Sequence, residues 1–434
     1  MCGIIAVVRR RGVRLTPTAD EVLSPLRLAL TGCDRLALGP ALVGELTTVA
    51  QFLEAANTQL LGVPGVLALV NVAGLHESVE QVISDVAAAV ADLDGRIDGE
   101  LETAVSEEHN VALVRIRDAV WSIREDRLRT AVEVEALAGK DASLAAIEAY
   151  TSIQVALSAI DRLEVRGRDS AGVHLLVRNH GLDLGAGPHS ALIAQRNADP
   201  LYRSGSVRVV EGGLSFVYKT AAEIGELGDN TAVLRSAIAN DELLDLALQS
   251  EGAETIVLGH TRWASIGVIS EANAHPINSE QIDGVDYPYV TAVLNGDVDN
   301  FADLKASDGL TLAPGVTTDA KVIPTMVAQR IADGLAPSDA FNQAVAQFEG
   351  SVAIAANVAN TDNQLLLALR GSGQALYVGF AEDMYIVASE PYGLVEETSS
   401  YLRIDGDTPA DIQNPIGSKG QVVILDGRYA GTLE

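Results

Sequence analysis

The spacing of apolar residues changes once along this chain, and that change rules out a single uniform architecture. From about Thr18 to Gly139 apolar residues recur three and four apart, as in Val79, Val82, Val86, Val90, Leu93, Ile97 and Leu101, which marks one face of a long helix. A second stripe runs Leu113, Ile116, Val120, Ile123, Ala131, Val134 and Leu137, and an earlier one Leu42, Leu46, Val49 and Leu53, so several packed helices are predicted. A further helix starts at Asp141 or Ser143, either of which can cap it, and presents Ile147, Tyr150, Ile153, Leu157 and Ile160. It ends where Arg166-Gly167-Arg168-Asp169 breaks the pattern. Beyond it short β-type runs take over: Val173–Val177, then Val207–Val210 and Leu214–Tyr218 joined through Gly212-Gly213 as a hairpin. Strands are also predicted near Thr255–Leu258, Tyr289–Leu294, Val352–Ala356, Leu365–Leu369, Ala375–Val378, Tyr385–Ala388 and Gln421–Leu425, with helices over roughly Thr231–Leu248 and Ala320–Ala332. At the other end, Ile4–Val8 reads as a short buried strand closed by Arg9-Arg10-Arg11 and Gly12. Consecutive strands with grouped helices predict an α+β fold, helices packed on stacked antiparallel sheets, rather than a doubly wound parallel sheet.

The chain has 434 residues, enough for two domains or for one domain with a large insertion. Its 59 acidic against 30 basic residues give a formal charge of -29, so nucleic acid and anionic membrane surfaces are not expected partners. The excess acid reads as a solvated surface. Two cysteines, Cys2 and Cys33, do not make a disulfide scaffold, and a cytoplasmic location is expected. Charge follows the N-terminal apolar run instead of preceding it, and no other segment has the length of an uncharged membrane span. His76 and His109 have no second ligand at metal spacing, and neither GxGxxG after a strand nor GxxxxGK[ST] occurs, so no metal and no cofactor are expected.

Cys2 stands at the second position. Once Met1 is removed it carries a thiol and a free α-amine in one residue. Such an amine has a pKa of about 7.7–8.0, so near neutral pH a fraction of it is uncharged and can take the thiol's proton. By itself Met1-Cys2-Gly3 is equally the plain start of a buried strand. Four more segments follow in order: Arg162–Gly172, reading RLEVRGRDSAG; Gly259–Ser265, reading GHTRWAS and running on to Asn273-Ala274-His275-Pro276; Asn295-Gly296 with Asn300; and Thr318-Asp319.

With those segments the chain resembles the glutamine amidotransferases with an N-terminal nucleophile, and most closely the glutaminase domain of the glucosamine-6-phosphate synthases. The resemblance covers Met1–Val8 and, with gaps, about Ala145 to the C-terminus. It leaves out the helical block, which is then an insertion after the first strand: residues 1–10 with 143–434 form the amidotransferase domain and residues 11–142 the insertion. It implies a four-layer sandwich, two antiparallel sheets flanked by helices, and assigns roles by position. Cys2 is the nucleophile, which forms a thioester with glutamine. Asn295 and the backbone N–H of Gly296 form the oxyanion hole. Arg262 grips the α-carboxylate of L-glutamine, and Asp319 holds the α-ammonium. His260, Thr261, Trp263 and Ser265 line the same pocket, the tryptophan helping to gate ammonia. Arg166 braces the N-terminal strand. Read singly, Arg262 is as well a surface ion pair, Asp319 a helix cap and Asn295-Gly296 a hairpin turn. His275 and Cys33 read as structural.

Ile266 and Leu294 stand where the synthases usually carry histidine, and Asn295–Asn300 replaces a more apolar segment, so the pocket's edge is expected to differ. The acceptor implied by the resemblance is fructose 6-phosphate, with a sugar-phosphate isomerase module supplied by a longer chain or a separate subunit. The helical insertion is left with assembly, including into a homo-oligomer, or partner docking. Two other classes stay open: an amide hydrolase of another substrate, which needs no Arg262–Asp319 pair, and a non-catalytic interaction protein using the insertion as its surface.

Overall fold

The run Ile4–Val8 lies inside β1 (Gly3–Arg9), buried along its whole length. Strands apolar on both faces are the ones that sheets bury in their middle, and β1 has a neighbour on each side. The computed structural model describes residues 2–36, 41–100, 107–185, 187–221, 226–409 and 419–431, of which 96–100 by backbone only. By its internal contacts the chain divides into two compact units, Met1–Arg11 with Asp141–Glu434, and Gly12–Lys140.

In the first unit the remaining strands are β2 (Ser170–Arg178), β3 (Val207–Val210), β4 (Gly213–Thr220), β5 (Glu254–Arg262), β6 (Ile277–Asn278), β7 (Val290–Gly296), β8 (Val352–Val358), β9 (Gln364–Arg370), β10 (Tyr377–Phe380), β11 (Met384–Ala388), β12 (Tyr401–Arg403) and β13 (Gln421–Asp426). One sheet has the order β12-β10-β11-β1-β5-β2-β4-β3 and the other β13-β9-β8-β7-β6, every pairing antiparallel. Alternation along the strands separates three layers of contact. Ile4, Ala6 and Val8 of β1, Ile256 and Leu258 of β5, and Val293, Ala353 and Leu367 of the smaller sheet meet between the sheets. Residues of opposite parity in the smaller sheet, such as Ala292, Leu294 and Ile354, pack with Met326 and Phe341 of the helices Val322–Ala332 and Pro337–Ala346. The outer face of β1 and β5 packs on helix Leu144–Leu163, whose start is capped by Ser143 accepting from Ala146 N–H at 3.1 Å. The result is an α+β fold of helices over two face-to-face antiparallel sheets.

Some boundaries differ from the sequence reading. The predicted helix Thr231–Leu248 is two, Asp229–Ala239 and Glu242–Leu248, because the Asp241 carboxylate caps the second by accepting from Leu243 and Leu244 N–H. The segment before Val322 is a 3-10 turn, Asp319–Lys321. Strand β10 begins two residues later than predicted. Three described helices escaped notice: Ser190–Asn197 and Phe301–Ser307, too short for a periodic signal, and Pro337–Ala346, which starts with proline and buries Ala340, Phe341, Ala344 and Val345.

The second unit is helical throughout its described residues: Ala19–Cys33, Leu42–Gln59, Gly62–Asn71, Leu75–Glu100, and a run from Glu107 to Ala138 that passes through a π-helical turn at Ser122–Leu128. Thr18 and Glu21 form a capping box at its start. Its apolar stripes, apart from Val134 and Leu137, contribute to one core from Val22 to Ala131, in which Cys33 is buried with its thiol pushed up to about 11 by that burial. Leu101, the last of the stripe from Val79, lies outside the described residues, and so does the side chain of Ile97. Among those residues no single helix is long and apolar enough to cross a membrane; Leu42–Gln59 and Gly62–Asn71 meet that test only together, across an 87° bend.

Candidate active site

Parity along three strands sends four side chains into one place. Cys2 continues the inward row of Ile4, Ala6 and Val8; His260 and Arg262 continue that of Ile256 and Leu258; Asn295 continues that of Val293. All emerge at the same end of the inter-sheet space, since β1 and β5 pair with Gly3 opposite Thr261. Gly3 has to be glycine because a Cβ there would lie 2.7 Å from both Leu163 Cβ and Thr261 Oγ1. Ile4 is tied on its other side to β11, donating to Ser389 Oγ at 3.0 Å and accepting from Ser389 N–H at 3.1 Å. The residue ahead of it is thereby held in place.

The Cys2 sulfur accepts from Trp263 N–H at 3.3 Å, and burial raises its pKa against the lowering effect of that contact and of Arg262. Asn295 Nδ2 donates to the Cys2 carbonyl at 2.8 Å. The amide is oriented from behind by His260, whose Nε2 lies 2.8 Å from the Leu294 carbonyl and 3.1 Å from Asn295 Oδ1. Both atoms are acceptors, so that nitrogen carries the proton. Burial pushes the imidazole down to about 3, keeping it neutral. Gly296 follows at φ +89°, where a Cβ would fall 1.9 Å from the Ser351 carbonyl oxygen. Only glycine can hold that backbone there.

Arg262 is buried, and burial lowers its pKa while Cys2, Asp319, Asp169 and Asp297 oppose the shift. One guanidinium nitrogen, Nη2, donates to the Ile266 carbonyl; the other, Nη1, is buried without a hydrogen-bond partner among the described residues. Asp319 is also buried, its pKa raised chiefly by desolvation. Its Oδ2 accepts from Val298 N–H at 2.8 Å, and Oδ1 lies 3.3 Å from the Thr318 hydroxyl. A cation with a free donor therefore stands near both the thiol and a buried carboxylate, the pattern that suits a zwitterionic α-amino acid.

The other sequence-selected residues are distributed as follows. Ser265 donates its hydroxyl to Asp297, which puts an additional carboxylate at the site. Trp263 is 60% exposed, and its contact with the site is through its backbone N–H on the Cys2 sulfur. Thr261 is out of phase with its neighbours: it points to the helix side, where its hydroxyl donates to the Leu163 carbonyl at 3.2 Å. It fastens β5 to that helix instead of lining the pocket. Arg166 reaches Tyr392 Oη at 3.1 Å and the Glu390 carboxylate, beside the Ser389 that holds β1. Ile266 and Leu294 touch the site through their carbonyls, which any residue supplies, and the Leu294 side chain packs on the opposite face of its sheet. The expected change at the pocket's edge from position 294 is thus absent.

Two supporting residues carried no role in the sequence reading although both lie inside the matched segments. Asp169 accepts from Ala264 N–H at 2.8 Å and donates its own N–H to the Arg262 carbonyl at 3.1 Å, fixing the turn after β5. Asn273 Oδ1 accepts from Thr317 and Thr318 N–H at 2.7 and 3.1 Å, pinning the approach to Asp319.

No family model matches the chain. The glutamine–fructose-6-phosphate aminotransferase (isomerizing) of Mesorhizobium japonicum is 38% identical over 158 residues, which are 35% of this chain and 24% of that enzyme. The enzyme of the same name from Staphylococcus epidermidis is 31% identical over 176 residues, 41% of this chain and 28% of that enzyme. The matched part is about a quarter of the length of these curated relatives. A glutamine phosphoribosylpyrophosphate amidotransferase from B. subtilis aligns over 65% of this chain and 47% of that chain at 15% identity, with a TM-score of 0.38, too low to count as a shared fold. Over the part that matches, the chain resembles a class II glutamine amidotransferase domain. Within that class its similarity is to the glutamine–fructose-6-phosphate aminotransferases.

Proposed function

We propose that the chain hydrolyses L-glutamine to glutamate and ammonia through a thioester on Cys2. The observation that carries this reading is the buried Nη1 of Arg262 beside the thiol, without a hydrogen-bond partner among the described residues. An unsatisfied buried donor on a cation is costly, and the α-carboxylate of glutamine would satisfy it. Asp319 would take the α-ammonium, leaving the side-chain amide to reach Sγ. The Cys2 α-amine, free once Met1 is removed, takes the thiol proton; Sγ attacks the amide carbon; the proton then passes to the departing nitrogen, which leaves as ammonia. Water attacks the thioester in the second half, releasing glutamate and restoring the thiol. Asn295 Nδ2 and the Gly296 N–H would hold the developing oxyanion in both halves.

The decisive experiment is intact mass before and after a diazoketone analogue of glutamine, together with glutamate release. A mature chain beginning at Cys2 with one adduct on that residue is expected; an adduct elsewhere, or retained Met1 with full turnover, would refute the mechanism. Arg262→Lys loses the planar fork and Asp319→Asn loses the charge while keeping an acceptor for Val298 N–H. Each is expected to lower kcat/KM for glutamine by about 1.5–3 kcal/mol, roughly 10- to 150-fold. Glutamine saturation unchanged in both variants would reassign the pair to structural roles.

Ammonia is the half-product, and the acceptor we infer from the named relatives is fructose 6-phosphate, aminated on an isomerase module in a longer chain or a separate subunit. The chain alone should then release glutamate from glutamine plus fructose 6-phosphate without forming glucosamine 6-phosphate. The cytoplasm, where thiols stay reduced, suits this chemistry.

The segment of about residues 11–142 we read as an insertion that folds by itself, since its core from Val22 to Ala131 is drawn from its own helices. Produced alone as residues 12–140, it is expected to be helical and to unfold cooperatively by circular dichroism. A featureless spectrum would show that it depends on the rest of the chain.

A further inference from the structure

We propose that the cavity between the β3–β4 side of the larger sheet and β6 of the smaller one binds a small organic anion, a phosphate ester or carboxylate, on Lys219 and Lys321. The cavity measures about 830 Å³ and is lined by Tyr202, Arg208, Lys219, Asn278, Tyr289 and Lys321, among others. That is the size of a small-molecule site, roughly 300–1,000 Å³. It lies outside the Cys2 pocket, and its ligand does not depend on the glutaminase reading.

The charges are what single it out. The chain has five lysines, at positions 140, 219, 305, 321 and 419, in a sequence of net charge -29. Lys140, Lys305 and Lys419 are exposed. Lys219 and Lys321 are 2% and 3% exposed, and both line this one cavity. Lysines serving solubility would be outside. Lys321 Nζ donates to the Asn278 carbonyl and side-chain oxygens at 2.6 and 3.2 Å, which leaves one of its three donors. Lys219 Nζ has no hydrogen-bond partner among the described residues and stands 4.9 Å from the Tyr202 ring centre.

Nearby carboxylates do not neutralise the pair by contact. Glu280 receives Arg208 Nε and Asn278 Nδ2, Asp199 receives Arg203 and the Ser206 hydroxyl, and Glu271 receives Ser204 N–H. Burial pushes both ammonium groups down to about 7, Lys219 further depressed by the charge of Lys321 and relieved by Glu271 and Asp199, Lys321 relieved by Glu280. Buried ammonium groups with no counter-ion in contact are unfavourable when charged, and an anion bridging the two recovers that cost. The two wall tyrosines are held in place, the Tyr202 and Tyr289 hydroxyls converging on Ser215 Oγ at 3.0 and 2.9 Å, with His174 Nε2 on the same oxygen at 3.0 Å.

The test uses the whole chain labelled with carbon-13 at lysine Cε, which gives five NMR signals. Lys140→Arg, Lys305→Arg and Lys419→Arg assign the exposed three by loss and leave Lys219 and Lys321. Inorganic phosphate and succinate are titrated separately against sodium chloride of equal ionic strength. The expected result is a saturable shift of the two buried signals with at least one of these anions and none with chloride. Phosphate alone acting points to a phosphate ester, succinate alone to a carboxylate. Shifts confined to the exposed lysines, or no shift of the buried pair at about 10 mM, ten times a Kd of about 1 mM, would overturn the proposal. Where Lys219→Gln folds, as judged by its melting curve, it is expected to weaken the active anion about tenfold or more.

Discussion

Cys2→Ala is expected to reduce glutamine hydrolysis by at least about 10⁴-fold, because a covalent mechanism has no second nucleophile to fall back on. The other thiol cannot substitute: Cys33 is buried in the helical core with its pKa pushed up to about 11. The site around Cys2 stays built without its sulfur, since Asn295 holds the Cys2 carbonyl and β1 is fixed through Ile4 and Ser389. The alanine protein should therefore still bind glutamine, seen as a glutamine-dependent rise in melting temperature with no glutamate released. Cys2→Ser tests the thiol against the hydroxyl in the same frame. A permanent residue ahead of Cys2 tests the amine, and it should abolish turnover while leaving the thiol open to small alkylating agents. Ordinary turnover in the alanine protein would end the thioester mechanism.

Most of the fold was legible because its strands announce themselves by short apolar runs and its helical unit by long stripes. What escaped was set by single side chains. Asp241 divides one apparent helix into two by capping the second half, and periodicity continues across the break. The match of five short segments pointed to Cys2, His260, Arg262, Asn295 and Asp319, but a motif does not state which face of a strand a residue occupies. Parity does: Thr261 lies between two inward residues and so had to face the helix, a reading available from Ile256, Leu258 and His260 alone. The Leu294 departure was overweighted for the same reason, its side chain alternating away from Asn295. The buried lysines were beyond sequence reading, since no spacing links Lys219 to Lys321; only the closing of two sheets brings them to one cavity.

Asn295→Ala is expected to lower kcat about 10²- to 10³-fold, or about 2.7–4 kcal/mol, with KM for glutamine changed far less. The asymmetry follows from where the amide points. Nδ2 faces the Cys2 carbonyl beside the sulfur, on the Cys2 side of the site, while the glutamine zwitterion would be held by Arg262 and Asp319. An interaction that grows only as charge develops on the oxygen affects the rate and not the ground-state complex. The orientation of that donor depends on His260, neutral and pinned to the Leu294 carbonyl, whose proton leaves Asn295 only one way to place its oxygen. Asn295→Asp keeps the shape and the acceptor for His260 but replaces the donor with negative charge, so it should be at least as damaging as alanine. A structural role for Asn295 would give a different pattern: the aspartate protein would melt near the parent and retain kcat, and the alanine protein would lose stability and raise KM with kcat intact. That outcome would remove Asn295 from the oxyanion hole and leave Gly296 N–H as its only donor.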